Sequence, residues 1–130
     1  MPNLTDPKVI RALCERHGFT LSKGFGQNFI VNPGICPKMI EAAGIDQSTG
    51  VLEIGPGIGV LTKEAALRAA KVAAIEVDSR LYPVLDETLA EFGNVQIIPG
   101  DVLKLDLDAL IRQQFDGLKV AVVANLPYYI

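Results

Sequence analysis

The sequence predicts an α/β protein built on a Rossmann-like parallel sheet, and two observations support this prediction. Apolar runs of strand length alternate with stretches of helical periodicity, a pattern typical of β-α-β units with right-handed crossovers. The first run leads into a glycine-rich loop, as in sheets that bind a ligand beyond the carboxyl ends of their strands. The predicted strands lie at residues 51–54, 72–77, 95–98 and 120–124.

Helices are predicted between the strands because apolar residues recur there at helical spacing. Gly93 is expected to cap the end of the second of these helices, and Asp108 the start of the third. The three helices are predicted at residues 61–69, 81–92 and 107–115.

Two further helices are predicted ahead of the sheet. The first starts with Thr5 as its expected N-cap and ends at Gly18. The second covers residues 33–43 and ends at Gly44, while residues 19–31 show no period and predict a loop.

The composition predicts one folded domain, with 49% hydrophobic and 21% charged residues among 130. No apolar run is long enough to cross a membrane. Asp6, Lys8 and Arg11 also stand where a signal peptide would be apolar. The sequence therefore predicts a cytoplasmic protein with no membrane partner.

The cysteines and the histidine predict no metal site. Cys14 and Cys36 are far apart in sequence, and each lies in an apolar helical stretch. This favours buried, reduced thiols over metal ligands or a disulfide. His17 lies on the apolar face of the first predicted helix and is expected to pack against the core rather than to catalyse.

Charge is unevenly distributed along the chain. Residues 1–38 contain five Lys or Arg against two Asp or Glu, whereas the remainder contains seven against thirteen. A basic N-terminal arm is suited to contact a polyanion, because phosphate contacts need local positive charge. A solvated helix face explains the same charges equally well.

The glycine-rich loop after the first predicted strand favours a nucleotide-like ligand. Gly55, Gly57 and Gly59 allow a sharp turn and a close approach of the backbone to a ligand. The NAD fingerprint G-x-G-x-x-G needs a small residue where this chain has Val60, whereas G-x-G-x-G is common in methyltransferases. A plain turn between strand and helix is the alternative.

Carboxylates follow the next two strands. Glu76 lies 21 residues beyond Gly55, where a carboxylate can accept both hydroxyls of a ribose. Asp78 is the other candidate for binding the ribose, but its position just before a helix favours a role as N-cap. Asp101, after the third strand, can accept a hydrogen bond from an adenine amino group, and an ordinary turn aspartate is the alternative.

The fourth strand ends in Asn125-Leu126-Pro127-Tyr128, which predicts methyl transfer to an amine. Adenine N6 is a weak nucleophile because its lone pair is delocalised, so a site must aim that pair at the methyl carbon. The Asn125 side-chain oxygen and the Leu126 carbonyl can accept its N–H groups, and Pro127 keeps Leu126 extended. Tyr128 is expected to stack on the base. A strand-ending turn with a core tyrosine is the alternative.

Taken together and in order, these motifs resemble those of the ribosomal RNA adenine N6,N6-dimethyltransferases of the KsgA type. The resemblance implies a class I methyltransferase fold, S-adenosylmethionine as methyl donor and no metal. It also implies dimethylation of adenine N6 in small-subunit ribosomal RNA and a role in ribosome assembly, with the immature small subunit as partner and no protein partner. The matching segments are residues 26–30, 53–59, 75–78, 100–101 and 125–128.

The resemblance also implies roles for individual residues. The segment containing Gln27, Asn28 and Ile30 would fold over the cofactor. The other implied cofactor-binding residues are Gly55, Gly57, Glu76, Val77, Asp101, Val102 and Asn125, and the implied catalytic residues are Asn125, Leu126, Pro127 and Tyr128.

The length of the chain departs from the family, whose members continue into further strands and a small helical domain. We therefore expect residues 1–50 to cover the cofactor site and residues 51–130 to form the first half of the cofactor-binding domain. The sheet is then truncated after its fourth strand, and this strand should lie at an exposed edge that promotes self-association.

Two alternatives stay open. Related resistance methyltransferases that modify large-subunit RNA share the plan, but they usually have serine where this chain has Pro56 and isoleucine where it has Leu126. A non-catalytic module that holds cofactor or RNA is the other alternative.

Overall fold

The computed structural model describes residues 3–18 and 34–124. Two short 3₁₀ turns, Ser79–Leu81 and Val102–Lys104, follow the second and third strands. The helices are α1 (Pro7–His17), α2 (Ile35–Ala42), α3 (Val60–Arg68), α4 (Tyr82–Thr88) and α5 (Leu107–Gln114), and the strands are β1 (Thr49–Ile54), β2 (Lys71–Glu76), β3 (Val95–Pro99) and β4 (Lys119–Ala124).

The four described strands form one parallel sheet in the order β3-β2-β1-β4. Leu52 of β1 pairs with Ala73 of β2 on one side and with Val122 of β4 on the other. Parallel strands need crossovers, and the intervening helices provide them. The structure confirms the predicted α/β sheet and the alternation of strands and helices.

Both faces of the sheet are covered by helices, which explains why the strands are almost continuously apolar. Val51 and Val72 pack on one face against residues of α2 and α3. Leu52 and Ala73 pack on the other face with Phe115, next to the partly buried apolar residues of α5. Successive residues along β1 therefore pack against helices on opposite faces of the sheet.

Helix α1 packs over α4 and the glycine-rich loop. Leu13 of α1 belongs to one buried cluster with Leu85 of α4 and Ile58 of the loop. The N-terminal helix is therefore part of the same core as the residues that follow β1.

Strand β4 lies at one end of the described sheet, as expected from the sequence. The Val122 side chain, on the α5 face, is 58% exposed. Self-association through this strand stays a prediction.

Two of the predicted helix caps are wrong by one or two residues. Helix α1 is capped by Asp6, which accepts a hydrogen bond from the Lys8 amide, whereas the Thr5 hydroxyl bonds to Asn3. Helix α5 is capped by Asp106 rather than by Asp108, which instead places a negative charge in the first turn.

Helix α4 is shorter than predicted, and Gly93 does not cap it. It ends at Thr88, and the amides of Ala90 and Phe92 bond to carbonyls three residues back, so the chain tightens out of α geometry before Gly93. Helix α2 ends at Ala42, with Gly44 just beyond it at φ +69°.

Both cysteines are free, as predicted, but only Cys36 is buried, whereas Cys14 is partly exposed. Burial raises the pKa of the Cys14 thiol, and it raises the pKa of the more deeply buried Cys36 to about 11. His17 is only partly explained by packing, because its ring also lies 2.9 Å from Glu87 of α4.

In residues 3–18 and 34–124, no helix is both long and apolar enough to span a bilayer. Over the same ranges, no three His, Cys, Asp or Glu side chains come together as a metal site would require. The expectation that no metal is used stays a prediction.

Candidate functional site

The carboxyl ends of all four strands meet at one edge of the sheet, where ligands bind in folds of this kind. Following the strand order, Asp101 comes after β3, Glu76 ends β2, Gly55 follows β1 and Ala124 ends β4. Three of the predicted site residues are therefore arranged in a row along this edge.

The glycine-rich loop adopts a backbone that favours glycine. Gly55, Gly57 and Gly59 have φ angles of +73°, +61° and +97°. A Cβ built on Gly55 or Gly57 would meet no atom within 4 Å, so the backbone here faces open space. A loop of bare main chain beside open space fits a ligand that needs close approach.

The far end of this loop rests on helix α4. Gly59 is the N-cap of α3, and a Cβ at this position would lie 3.1 Å from the Thr88 hydroxyl. The same hydroxyl donates a 2.8 Å hydrogen bond to the carbonyl of Ile58. Gly59 is thus required both by its backbone angle and by the limited space.

Glu76 is buried at the end of β2, and its carboxylate is held by backbone amides. The amide of Asp78 donates to one oxygen at 3.0 Å, and the amide of Gly57 approaches the other at 3.4 Å. Burial raises the pKa of Glu76, and these amides oppose that rise. The Val77 amide also stabilises the charged carboxylate, which has about four lone-pair sites and can still accept a hydrogen bond from a ligand hydroxyl.

The main chain of Glu76 is held as firmly as its side chain. Its carbonyl accepts hydrogen bonds from the Gly100 amide at 3.0 Å and from the Tyr82 hydroxyl at 2.8 Å. The Gly55 amide also bonds to the carbonyl of Ile75 at 2.9 Å. The ends of β1, β2 and β3 are thereby linked, and Tyr82 is a supporting residue that the sequence did not reveal.

The two aspartates near this edge both act as caps. Asp78 accepts a bond from the Arg80 amide and forms an ion pair with that side chain, as expected for an N-cap. Asp101 caps the second 3₁₀ turn by accepting from the Leu103 amide at 2.9 Å, which leaves its other oxygen for a ligand.

Two valines complete the described part of this edge. Val77 is 67% exposed directly after Glu76, and Val102 is partly exposed directly after Asp101. Both offer apolar surface beside a carboxylate, an arrangement suited to a planar ring with polar edges.

Glu53 is a buried residue for which the sequence predicted no separate role. Its side chain is 1% exposed in β1, and the Thr62 hydroxyl of α3 donates a hydrogen bond to it. The signal was present in the sequence, because a glutamate interrupts the apolar run of residues 51–54. Thr62 carried no such signal, since its contact follows from the fold.

Several predicted residues lie outside the described residues, and the structure does not place them. They are Gln27, Asn28 and Ile30 in the N-terminal segment, and Asn125, Leu126, Pro127 and Tyr128 after β4.

Solved structures with a similar fold include two RNA-modifying or adenosine-modifying methyltransferases. A dimethyladenosine transferase from Plasmodium falciparum matches with a TM-score of 0.60 and 37% identity, over 76% of this chain and 34% of its own. The 23S rRNA methyltransferase ErmE matches with a TM-score of 0.58 and 26% identity, over 75% of this chain and 48% of its own. The fold is the Rossmann-like fold of class I S-adenosylmethionine-dependent methyltransferases.

The chain belongs to the ribosomal RNA adenine dimethylase family, whose model matches residues 18–130. Ribosomal RNA small subunit methyltransferase A of Shouchella clausii is 48% identical over 129 residues, which is 98% of this chain. The chain spans 44% of the length of that relative. The family expected from the motifs is confirmed.

Proposed function

We propose that the protein transfers two methyl groups in turn from S-adenosylmethionine to N6 of an adenine in small-subunit ribosomal RNA. The observation that carries this proposal is the row of Asp101, Glu76 and the glycine loop along one sheet edge, with the end of β4 beside the loop. The row offers one acceptor for the ribose hydroxyls, one acceptor for the adenine amino group and a bare backbone for the methionine part. The name of the Shouchella clausii relative supports the same RNA.

The cofactor is proposed to lie across this edge. Glu76 accepts hydrogen bonds from the ribose hydroxyls. Its carboxylate is held in place by the amides of Asp78 and Gly57 and can accept further hydrogen bonds. Gly55 and Gly57 allow the methionine part to approach the backbone. When bound, S-adenosylmethionine would supply an electrophilic methyl carbon; S-adenosylhomocysteine would leave, and the proton that the methylated amine loses would pass to water.

The adenine ring of the cofactor is proposed to sit toward β3. Asp101 accepts from the exocyclic amino group with the oxygen that its capping bond leaves available. Val77 and Val102 cover the faces of the ring, and burying them there stabilises the complex by removing apolar surface from water.

The target base is proposed to enter beside β4. Asn125 and the carbonyl of Leu126 accept the N–H groups of the target amine and so orient its lone pair, Pro127 restricts Leu126, and Tyr128 stacks on the base. Position and alignment then account for the rate, with no general base tuned for the reaction. Such a target is an unstacked adenine in a single strand or loop.

The N-terminal segment, residues 1–50, is proposed to cover the cofactor through Gln27, Asn28 and Ile30. Residues 51–130 form the part of the domain that holds it. The location of α1 over the glycine loop supports this, because α1 leads directly into the covering segment. We further propose that the protein works in the cytoplasm, on the immature small ribosomal subunit and without a metal.

Labelled-methyl transfer tests the proposed function. The complete protein is incubated with small ribosomal subunits that lack the modification, with large subunits as a parallel substrate. We expect label in adenine of the small-subunit RNA and little in the large subunit. Transfer to large-subunit RNA alone would establish the activity of ErmE instead. Cofactor binding without transfer to either would establish a non-catalytic module.

Asn125→Ala in the complete protein tests the target side. We expect the rate of methyl transfer to fall steeply while the affinity for S-adenosylmethionine changes much less, because the amide acts on the target amine. An unchanged rate would remove Asn125 from the proposed mechanism.

A further inference from the structure

A carboxyl group lies beneath the glycine loop, where packing alone does not explain it. Glu53 is 1% exposed in a strand that is otherwise apolar, and burying a carboxyl group costs free energy that an apolar side chain would not. Its described hydrogen-bond partner is the hydroxyl of Thr62, which is itself completely buried.

The hydrogen bond joins the two elements on either side of the loop. Glu53 lies near the end of β1, and Thr62 lies in the first turn of α3. Glycines with positive φ occupy three of the five positions from Gly55 to Gly59, and glycine restricts the backbone least of all residues. The shape of such a loop therefore depends on the contacts that hold it, and the bond between Glu53 and Thr62 adds a contact between the strand before the loop and the helix after it.

We propose that Glu53 is a positioning residue of the cofactor site: through Thr62 it fixes β1 relative to α3 and so holds the glycine loop in its binding shape before the ligand arrives. This inference rests on the proposed function, since it concerns the same site. Glu53 acts through Thr62 and the loop and not by touching the ligand.

The electrostatic surroundings agree with a role inside the protein. Burial raises the pKa of Glu53 to about 7, the Thr62 hydrogen bond opposes the rise, and the negative charge of Glu76 adds to it. The pKa of Cys36 on α2 is raised mainly by burial, and the negative charges of Glu64 and then Glu53 add to the rise. Glu53 thus keeps a proton more readily than a surface glutamate, and in either state an oxygen can accept the Thr62 hydroxyl.

The test distinguishes the effect of the Thr62 hydroxyl from the effect of the shape of the Thr62 side chain. Thr62→Val keeps the shape and removes the donor, whereas Thr62→Ser keeps the donor. Thr49→Val makes the same change to a buried threonine at the opposite end of β1 and serves as the matched control.

The first measurement needs no ligand. Amide hydrogen exchange of the loop glycines is followed by NMR in the protein alone. We expect faster exchange of the Gly59 amide, which bonds to the Pro56 carbonyl, in Thr62→Val but not in Thr62→Ser or Thr49→Val. Equal exchange in all four proteins would overturn the inference.

The second measurement is calorimetric titration with S-adenosylmethionine and with S-adenosylhomocysteine, which lacks the sulfonium charge. Thr62→Val should weaken both about tenfold, the effect of losing one hydrogen bond to an ionisable group, and Thr62→Ser should restore both. A variant that is merely less stable, but still folded at the temperature of the titration, would keep the wild-type Kd for both ligands.

Three outcomes contradict the inference in distinguishable ways. Loss of affinity for S-adenosylmethionine alone would mean that Glu53 acts on the ligand charge directly. Unchanged affinity in Thr62→Val would mean that the loop holds its own shape. If the wild-type protein bound neither ligand, the proposed function would fail and the positioning role with it.

Discussion

The hydroxyl of Thr88 donates a 2.8 Å hydrogen bond to the carbonyl oxygen of Ile58, and this contact attaches helix α4 to the glycine loop. Thr88 is 4% exposed, so removing the donor would leave a buried carbonyl without this partner. The neighbouring residue, Glu87, contacts Arg16 and His17 of α1. Successive residues of α4 therefore hold the loop on one side and the N-terminal helix on the other.

We expect Thr88→Val to lower the free energy of unfolding by about 1–3 kcal/mol, the cost of an unsatisfied buried polar group. Chemical denaturation measures this change. Glu87→Gln is the matched control, because its ion pairs are largely exposed and such pairs contribute at most about 1 kcal/mol. An equal loss of unfolding free energy in the two variants would show that the hydrogen bond to Ile58 contributes no more than an exposed ion pair.

The pH dependence of stability should reveal the buried carboxyl of Glu53. Its pKa is about 7 in the folded protein and 4.5 ordinarily, so the folded chain keeps a proton that the unfolded chain releases between these values. The stabilising contribution is complete below the lower value and is lost as the pH rises through the higher one. The loss amounts to about 3 kcal/mol at roughly 1.4 kcal/mol per pH unit.

Glu53→Gln, which cannot titrate, should therefore show a flatter profile and gain on the wild type as the pH rises. Urea denaturation at about pH 5 and about pH 8 compares the two proteins. Glu76 is present in both proteins, so the effect of its own burial is common to the two profiles, whereas its repulsion with Glu53 is removed together with the Glu53 charge. Parallel profiles would show that Glu53 titrates as an ordinary glutamate.

Gly50 should tolerate no larger residue. A Cβ there would lie 2.3 Å from the ring of Phe115, which is buried in the core. We expect Gly50→Ala to lower the free energy of unfolding by about 3 kcal/mol or more, because strand and ring would both have to move. Gly93→Ala is the control, since a Cβ there meets nothing within 4 Å. Thermal unfolding followed by circular dichroism separates the two.

Glu76→Ala should weaken S-adenosylmethionine binding by between about tenfold and about a hundredfold, the range for one or two hydrogen bonds to a carboxylate. Calorimetric titration measures the affinity. Asp86→Ala removes an exposed carboxylate from α4 and should leave the affinity unchanged. Similar losses in both variants would point to overall charge rather than to a ribose contact.

The fold was predictable because its signals are local. The apolar runs at residues 51–54 and 120–124 predicted strands, and the loop beginning at Gly55 predicted the turn into α3, which starts at Val60. The end of α4 was not predictable, since residues 89–92 have helical propensity and the chain leaves the helix there to reach β3.

The site was predictable only in part, for a physical reason. Glu76 and Asp101 could be found because strand ends at one edge converge in any parallel sheet. The partners that hold the site come from elsewhere in the fold: Thr62, Tyr82 and Thr88 reach it from α3 and α4. No local sequence pattern predicts these contacts, because they depend on how the helices pack.

The backbone carbonyl of Glu76 accepts two hydrogen bonds, and this has a consequence for substitutions at the position. Because Gly100 and Tyr82 fix the backbone at that point, the position of the backbone does not depend on the chemistry of the side chain. A different polar residue at this position would be presented from the same place. A substitution at this position would therefore change the side chain offered at the sheet edge, while the two hydrogen bonds to the backbone carbonyl stay in place.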